Sequence, residues 1–306
     1  MRFDPDHLET LVAILDEGSF DAAARRLHLT PSAVSQRIRA LEDAAGRVLV
    51  RRGSPATATE AGTALVRLGR ELRLLDAEAA AVLAADAHPT ALDLPVAVNA
   101  DSLATWFRPV LGAIAARPGI ALRLQVADET ASAQLLRRGE VLAAVTTQSR
   151  AVQGCAVRPL GVQRYRAVAA PDLLARHRRG RGVDWARLPM VVFDELDGLQ
   201  DRLLARRGLA RPPVVHRIPS TADFLEAICA GLGWGMVPLA HVESAGARLH
   251  VLPGASTLDV ALHWQRWRLR TPALDALDDA VLAAATTGLR RPRRSPSEED
   301  QEPARA

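Results

Sequence analysis

SFDAAARRLHLTPSAVSQRIRALE, residues 19–42, is the stretch that decides the N-terminal fold. It predicts two short helices separated by a tight break. Thr30 can cap the second helix, and Pro31 can take its first position, where a missing N–H costs no hydrogen bond. One buried face of this helix is predicted by apolar side chains at i, i+4 and i+7, which are Val34, Ile38 and Leu41.

The opposite face of the second helix is polar and free of acids until Glu42. Its side chains are Ser32, Ser35, Gln36, Arg37 and Arg39. Such side chains hydrogen-bond base edges, and Arg and Ser also bind phosphates. We interpret the pair as a helix-turn-helix with residues 31–42 as the recognition helix, and we include Thr30 and Pro31 at its start among the candidate DNA contacts. On spacing alone, an ordinary helical hairpin with a solvated polar face is the alternative.

The flanking residues complete a winged DNA-binding domain. An apolar face predicts a bracing helix over residues 5–16, which Gly18 ends. RVLVRRGSPATATEAG, residues 47–62, predicts a short hairpin of the kind that lies over the sugar-phosphate backbone as a wing. Arg51 and Arg52 are therefore the candidate phosphate contacts.

A long helix capped by Thr59 is predicted over residues 60–85. Its apolar residues form one stripe, made of Ala64, Leu65, Leu68, Leu72, Leu75, Ala79 and Leu83. A helix so long and one-sided is typical of pairing with its copy in a second subunit. Packing on its own domain is the alternative.

The pattern SFxAAAxxLxxxxxAVSxxIxxLExxxGxxLxxR, followed by TxAG, resembles that of the LysR-type transcriptional regulators, and it extends here from Ser19 to Gly62. The resemblance implies a regulator that binds double-stranded operator DNA as a homodimer or homotetramer, with RNA polymerase as a further partner. Val50 stands where the family usually has Phe. We expect this departure to change packing under the wing rather than DNA contacts.

From Leu92 onward, strands and helices alternate, which predicts open, mostly parallel sheets. The strand-like segments are LDLPVAV, IALRLQV, VLAAVTT, RYRAVAA, MVVF, VVHRI, WGMVP and LDVALHW, and helices are predicted over 102–116, 131–138 and 274–289. The resemblance implies two subdomains of type-2 periplasmic-binding-protein architecture, joined by crossover strands near residues 162–167 and 262–267.

The predicted chain is thus α/β overall, with a winged helix-turn-helix, a long linker helix and a two-subdomain effector domain. We place these at residues 1–59, 60–87 and 92–290, with subdomain I at 92–161 and 268–290 and subdomain II at 162–267. Residues 291–306, RPRRSPSEEDQEPARA, are charged and rich in proline, and we expect a disordered tail.

Ligands of open α/β sheets bind at the carboxyl ends of strands, where helix N-termini point. Two predicted helix starts fit this position, one with Asn99, Asp101 and Ser102 and the other with Ser220 and Thr221. Hydroxyls and backbone N–H groups at a helix start bind carboxylates. A plain N-cap is the alternative for each.

NADSLATWF, LLRRGEVLAAVT, LQDRLL, PSTADF, GLGWGMVP and HWQRWRL resemble the lysine/arginine-exporter branch of the family, the LysG/ArgP-type regulators. This resemblance covers the chain up to about residue 289. It implies that a basic amino acid (lysine, arginine or histidine) is sensed and that an exporter gene is controlled, and activated. A cationic ligand requires carboxylates, so Glu129 and Asp194 join Asp101 as candidate effector contacts, together with Thr146. Most acids at strand ends are solvated surface groups, and the sequence does not single out the one that pairs with the ligand.

Composition limits the other classes of function. The net charge of +4 over 306 residues argues only weakly for DNA binding. No apolar run reaches about 18 residues, and the N-terminus lacks a signal-peptide core, so we expect a cytoplasmic protein without a membrane partner. Cys155 and Cys229 lack metal spacing and are expected to be small buried residues. We expect no metal or other cofactor.

An enzyme is not expected, since the sequence has no GxSxG, P-loop or GxGxxG motif. The alternatives to the exporter regulator are a LysR-type regulator with a different effector and an architectural DNA-binding protein of weak sequence specificity.

Overall fold

The computed structural model describes residues 2–83, 91–254 and 256–291. The end of the predicted linker helix and the predicted connection before Leu92 fall on residues 84–90, which lie outside the described residues. The predicted tail also lies outside them from residue 292 onward.

The N-terminal domain forms the predicted winged helix-turn-helix. Its elements are α1 (Pro5–Glu17), α2 (Phe20–Leu27), α3 (Pro31–Ala45), β1 (Val50–Arg51) and β2 (Thr57–Ala58). The Thr30 side chain accepts a hydrogen bond from the Ala33 N–H and so caps α3 as predicted. The recognition helix ends three residues later than predicted, at Ala45, where Gly46 takes a left-handed conformation with φ of 65°.

The wing is attached to the end of the recognition helix. β1 and β2 pair antiparallel, and the Glu42 carboxylate of α3 accepts hydrogen bonds from the backbone N–H groups of Leu49 and Val50 at 2.8 and 3.4 Å. Both of these residues are buried in the domain core. Val50 therefore lies beneath the wing, where we expected its packing role.

The linker helix α4 (Glu60–Leu83) is capped by Thr59, whose hydroxyl accepts a hydrogen bond from the Gly62 N–H at 3.0 Å. The predicted apolar stripe is divided along its length. Leu65, Leu68 and Leu72 pack against the N-terminal core, whereas Leu75 and Leu83 are exposed by 41% and 83%. The first half of the stripe thus packs within the chain, and the second half faces outward.

The C-terminal domain contains the remaining elements. They are β3 (Leu92–Val98), α5 (Ala100–Ala104), α6 (Arg108–Ala115), β4 (Ile120–Val126), α7 (Glu129–Arg137), β5 (Ala143–Thr146), β6 (Cys155–Ala169), α8 (Pro171–Arg176), β7 (Arg178–Arg179), β8 (Gly182–Val183), β9 (Met190–Val192), α9 (Leu199–Arg206), β10 (Val215–Arg217), α10 (Thr221–Cys229), β11 (Gly235–Pro238), α11 (Leu239–Ala245), β12 (His250–Val251), β13 (Thr257–Trp267) and α12 (Pro272–Gly288).

The single helix predicted over 102–116 is wrong. The structure has two helices, α5 and α6, because Pro109 lies in the first turn of the second. Proline lacks an N–H and its ring clashes with the preceding turn, so a helix can begin there but cannot run through it. Trp106 and Phe107 between the two helices are buried.

The main sheet has the strand order β11-β6-β13-β5-β3-β4, with β12 also paired to β6. β3 is parallel to β4 and β5, but β6 is antiparallel to β13, β11 and β12. The prediction of mostly parallel pairing is therefore wrong for the centre of the sheet, which is mixed. The reason is that two long strands run through it in opposite directions.

These two strands, β6 and β13, contain both predicted crossover segments, and we call them the crossover strands. They pair from Trp267 opposite Cys155 to Thr257 opposite Arg166, with a register shift between Leu262 and His263. One end of the pair lies beside β5, and the other lies beside β11 and β12. They therefore connect the part built on β3, β4 and β5 with the part built on β7 to β12.

The remaining elements pack on this frame. β9 and β10 form a separate parallel pair, and α12 packs against α6. Cys155 is buried as expected, whereas Cys229 is only half-buried. No helix within the described ranges is long and apolar enough to cross a membrane.

Candidate DNA-binding face and effector cleft

The predicted base-reading side chains of α3 share one face. Ser32, Ser35, Gln36 and Arg39 follow the spacing i, i+3, i+4 and i+7, which places them on one side of the helix. Ser32, Gln36 and Arg39 are exposed and Ser35 is half-buried. At the start of the helix, Thr30 and Pro31 are also exposed. All six residues except Pro31 have polar side chains.

Arg37 is placed differently from the other predicted DNA contacts. Its Nη2 lies 2.9 Å from the Asp6 carboxylate of α1, and its Nη1 lies 3.4 Å from the Thr10 hydroxyl. The guanidinium therefore fixes the recognition helix against α1. A direct role for Arg37 in DNA binding stays a prediction, and the structure gives it a positioning contact.

The two wing arginines are exposed. The Arg52 guanidinium lies over the ring of Phe20 at 5.1 Å from the centroid, a distance typical of a cation–π contact. Phe20 is the first residue of α2. The positive charge of Arg52 is thus held beside the helix-turn-helix, while Arg51 extends from β1.

One predicted helix start in the effector domain is tied to a crossover strand. The Asn99 side chain caps α5 by accepting a hydrogen bond from the Ser102 N–H at 3.2 Å. The fully buried Ser102 hydroxyl donates to Gln163 Oε1 of β6 at 3.3 Å. The Gln163 amide N–H in turn lies 3.4 Å from the Thr105 hydroxyl. The start of α5 therefore has a direct connection to the strand that joins the two parts of the domain.

The second predicted helix start belongs to α10, a helix that contacts α5. Ser220 caps α10, with its hydroxyl 3.4 Å from the Asp223 N–H and 2.6 Å from the Asp223 carboxylate. Thr221 begins the helix and is half-buried. On α11, the Nε2 of His241 lies 3.4 Å from the Ala104 carbonyl of α5. We call the space between α5 on one side and α10 and α11 on the other the effector cleft.

The pKa of His241 is shifted at this contact. Burial lowers its pKa, and Arg108 lowers it further, against the opposing hydrogen bond to the Ala104 carbonyl. The ring is therefore held toward its neutral form. A neutral ring at the cleft adds no positive charge that would repel a cationic ligand.

The predicted acids lie at the carboxyl ends of strands. Asp101 is half-buried in the first turn of α5. Asp194 follows β9 and accepts hydrogen bonds from the N–H groups of Leu196 and Asp197 at 2.8 and 3.0 Å. Since β9 and β10 are parallel, the Asp194 loop and the start of α10 lie at the same edge. Glu129 begins α7, and its side chain lies outside the described part of the structure.

Thr146 is fully buried at the end of β5. Its hydroxyl accepts a hydrogen bond from the Gln148 N–H at 3.1 Å and lies 3.4 Å from the Gln265 amide of β13. Because β3 and β5 are parallel, Thr146 and Asn99 lie at the same edge of the main sheet. The structure thus brings Thr146 to the predicted edge, within a network that also includes a crossover strand.

Sequence reasoning missed Gln163 and His241 near this site. They make contacts across 61 and 137 residues of sequence, so no local pattern could have indicated them. Asp197 accepts hydrogen bonds from the Phe193 and Leu199 N–H groups, and burial raises its pKa. No group of three or more His, Cys, Asp and Glu side chains in the described ranges is placed to hold a metal ion.

Two family profiles match the chain. Residues 5–63 match the bacterial regulatory helix-turn-helix protein of the lysR family. Residues 93–286 match the LysR substrate binding domain. Together the two matches include α1 to α3, the wing, the start of α4 and nearly all of the C-terminal domain.

Three similar proteins cover almost the whole chain. The lysine export transcriptional regulatory protein LysG of Corynebacterium efficiens is 47% identical over 94% of this chain and 99% of its own length. Full-length LysG of Corynebacterium glutamicum with bound effector Arg is 42% identical, with a TM-score of 0.81 over 94% of this chain and 100% of that chain. ArgP of Mycobacterium tuberculosis is 41% identical, with a TM-score of 0.84 over 95% of this chain and 100% of that chain.

Proposed function

The chain belongs to the LysR family of DNA-binding bacterial transcriptional regulators, and we propose that it senses a basic amino acid and thereby activates the gene of an amino-acid exporter. Arginine and lysine are the preferred effectors, with histidine as a third. The relatives are regulators and not enzymes, so the cleft serves recognition rather than catalysis.

The observation that carries this proposal is the similarity to a regulator with a bound effector. The chain is 42% identical over 94% of its length to a LysG structure that contains Arg. A second relative, at 47% identity, is named for lysine export. Both likenesses extend through the effector domain, which is the part that would bind the amino acid.

The cleft supplies groups of the required chemistry. We propose that Asn99, Ser102, Ser220 and Thr221, at the starts of α5 and α10, bind the carboxylate of the effector. Asp101, Glu129 and Asp194 are the candidates to pair with its cationic side chain. Thr146 lies at the same edge of the sheet and would contribute a hydroxyl.

The DNA side of the proposal uses the exposed face of α3 in the major groove. Ser32, Ser35, Gln36 and Arg39 would contact base edges, while Thr30, Pro31, Arg51 and Arg52 would lie along the DNA sugar-phosphate backbone.

We propose that the protein forms homodimers or homotetramers through α4. It would act on promoters in the cytoplasm together with RNA polymerase. We propose that the DNA-binding domain comprises residues 1–59, the linker helix residues 60–87 and the effector domain residues 92–290.

The experiment is an operator selection followed by a titration. Duplexes bound by the full-length protein are selected from genomic fragments, and footprints are recorded with L-arginine, L-lysine, L-histidine or the uncharged arginine analogue L-citrulline. A footprint that changes only with a basic amino acid supports the proposal. Identical footprints under all four conditions would contradict it, and a ratio of specific to non-specific affinity near one would favour an architectural DNA binder.

A further inference from the structure

Arg67 of α4 makes three polar or ring contacts that attach the linker helix to the effector domain. Arg70 adds a contact to the Arg138 carbonyl at 3.4 Å. The Nη1 of Arg67 lies 2.6 Å from the Gln153 carbonyl, and its Nη2 lies 2.6 Å from the Gly154 carbonyl. Its Nε donates to Glu71, one turn further along α4, at 3.1 Å. All three nitrogens of the guanidinium are therefore engaged, and the side chain is only 18% exposed.

The same guanidinium contacts the second crossover strand. It lies over the ring of Trp267 at 4.8 Å from the centroid. Trp267 is the last residue of β13, and it pairs with Cys155, the first residue of β6. Arg67 therefore contacts the last residue of β13 and the turn that leads into β6.

The turn before β6 is shaped to receive this guanidinium. Gly154 has a φ of +74°, and a Cβ placed there would lie 2.3 Å from Nη1 of Arg67. The left-handed backbone favours glycine here, and any larger residue would displace the Arg67 guanidinium from this position. The Gly154 carbonyl also accepts a hydrogen bond from the Arg268 N–H at 3.2 Å, which fixes its position relative to β13.

We propose that Arg67 couples the effector cleft to the DNA-binding domain, as a positioning residue that docks the linker helix on the crossover strands; this inference rests on the proposed function. At the cleft, Ser102 is bonded to Gln163 of β6. At the beginning of the same strand, Arg67 is bonded to the turn that precedes it. One strand therefore connects the effector site with the helix that carries the DNA-binding domain.

The Arg67 guanidinium can fix the orientation of α4 relative to the crossover strands, which an apolar contact cannot do. Leu74 of α4 also packs into the effector-domain core, but hydrophobic contact is non-directional and tolerates sliding. Two carbonyl hydrogen bonds and a ring contact fix both distance and angle. When the bound effector shifts the crossover strands, α4 must move with them or the Arg67 hydrogen bonds must break. The effector-bound and effector-free states of the cleft therefore differ in free energy at this contact.

The test uses full-length Arg67→Met, Arg67→Lys and a matched control, Arg211→Met. Methionine keeps an unbranched stem over Trp267 but removes every donor, and lysine keeps the charge without the two-carbonyl geometry. Arg211 is paired with Asp201 of α9 at the surface, so this variant removes one ion pair outside α4 and the crossover strands. Three quantities are measured for each protein: the Kd for L-arginine, the Kd for operator DNA, and the change that L-arginine causes in operator affinity and in energy transfer between dyes on the operator ends.

The wild type and Arg211→Met are expected to show coupling between L-arginine and operator of about 5–150-fold. For Arg67→Met we expect both separate Kd values to stay within about threefold of wild type while the coupling falls to about one, with Arg67→Lys in between. Coupling is reciprocal, so the Kd for L-arginine should also stop responding to operator DNA.

The outcomes separate the two proposals. Full coupling in both Arg67 variants, beside a responsive wild type, overturns the role of Arg67 and leaves the proposed function intact. The wild type is titrated with L-lysine and L-histidine as well. A wild type that responds to none of the three basic amino acids overturns the proposed function and this inference with it. If Arg67→Met does not fold, Arg67→Lys decides, because wild-type coupling in that folded variant contradicts the need for two carbonyl bonds.

Discussion

The Asp6 carboxylate of α1 accepts a hydrogen bond of 2.9 Å from Arg37 of the recognition helix. The side chain of Asp6 is 71% exposed and that of Arg37 is 29% exposed, so the contact lies at the edge of the helix pair. It removes one guanidinium from the polar face of α3. Base reading is therefore expected to depend on Gln36 and its neighbours on that face.

Gln36→Ala is expected to weaken operator binding by about 1–3 kcal/mol, because it removes a side chain able to bond two groups of one base. Binding to a scrambled duplex should not change, since no phosphate contact is lost. Fluorescence anisotropy on both duplexes measures the difference. An equal loss on the two would show that Gln36 does not read bases.

Arg37→Ala is expected to lower the affinity for operator and scrambled duplex by the same factor, because it loosens the placement of α3 on α1. Asp6→Ala removes the acceptor of the same contact from the other side and should have the same effect. Comparison of the two variants on both duplexes is the test. If Arg37→Ala alone changed operator preference, Arg37 would be a base-reading residue after all.

Thr221→Ala is expected to weaken effector binding by roughly 1.5–3 kcal/mol, the size of a hydrogen bond to a charged group, and to spare operator binding. Thr286→Ala is the matched control, because the Thr286 hydroxyl bonds only its own helix, at the Leu282 carbonyl. Calorimetry with L-arginine gives both affinities. Normal effector affinity in Thr221→Ala would remove the start of α10 from the site.

Asp278→Ala is expected to destabilise the fold by about 3–5 kcal/mol, the effect of breaking a buried ion pair from one side. The Asp278 carboxylate accepts hydrogen bonds of 2.7 Å from the Trp264 indole and from Arg266 Nε, and all three residues are buried. Asp201→Ala breaks a surface pair with Arg211 and should cost about 1 kcal/mol or less. Urea unfolding curves that were alike for the two variants would contradict this account.

The N-terminal domain was predictable because its signals are local. Thr30 and Gly18 mark helix ends through their own side chain or backbone, and the apolar spacing marks the buried face. The end of α3 was placed too early, since its last turn has no strong apolar residue. Pro109 also carried a local signal, for a new helix start, which the prediction of one helix over 102–116 overlooked.

The effector domain was less predictable because its geometry depends on distant residues. Period and composition indicate strands but not their direction, so the antiparallel pairing of β6 with β13 could not be derived from them. In the cleft, Asn99 and Ser220 were predictable as caps. The bonds of Ser102 to Gln163 and of Arg67 to Gly154 join residues far apart in sequence, and only the folded chain brings them together.

Calorimetric titration of the full-length protein with L-arginine, L-lysine, L-histidine and L-citrulline tests the central claim most directly. The account predicts saturable binding of at least one of the three basic amino acids and a much weaker signal with L-citrulline, which has the shape of arginine without its charge. Binding of L-citrulline as tight as that of L-arginine, or binding of none of the three basic amino acids, would contradict the claim that the cleft recognises a basic amino acid.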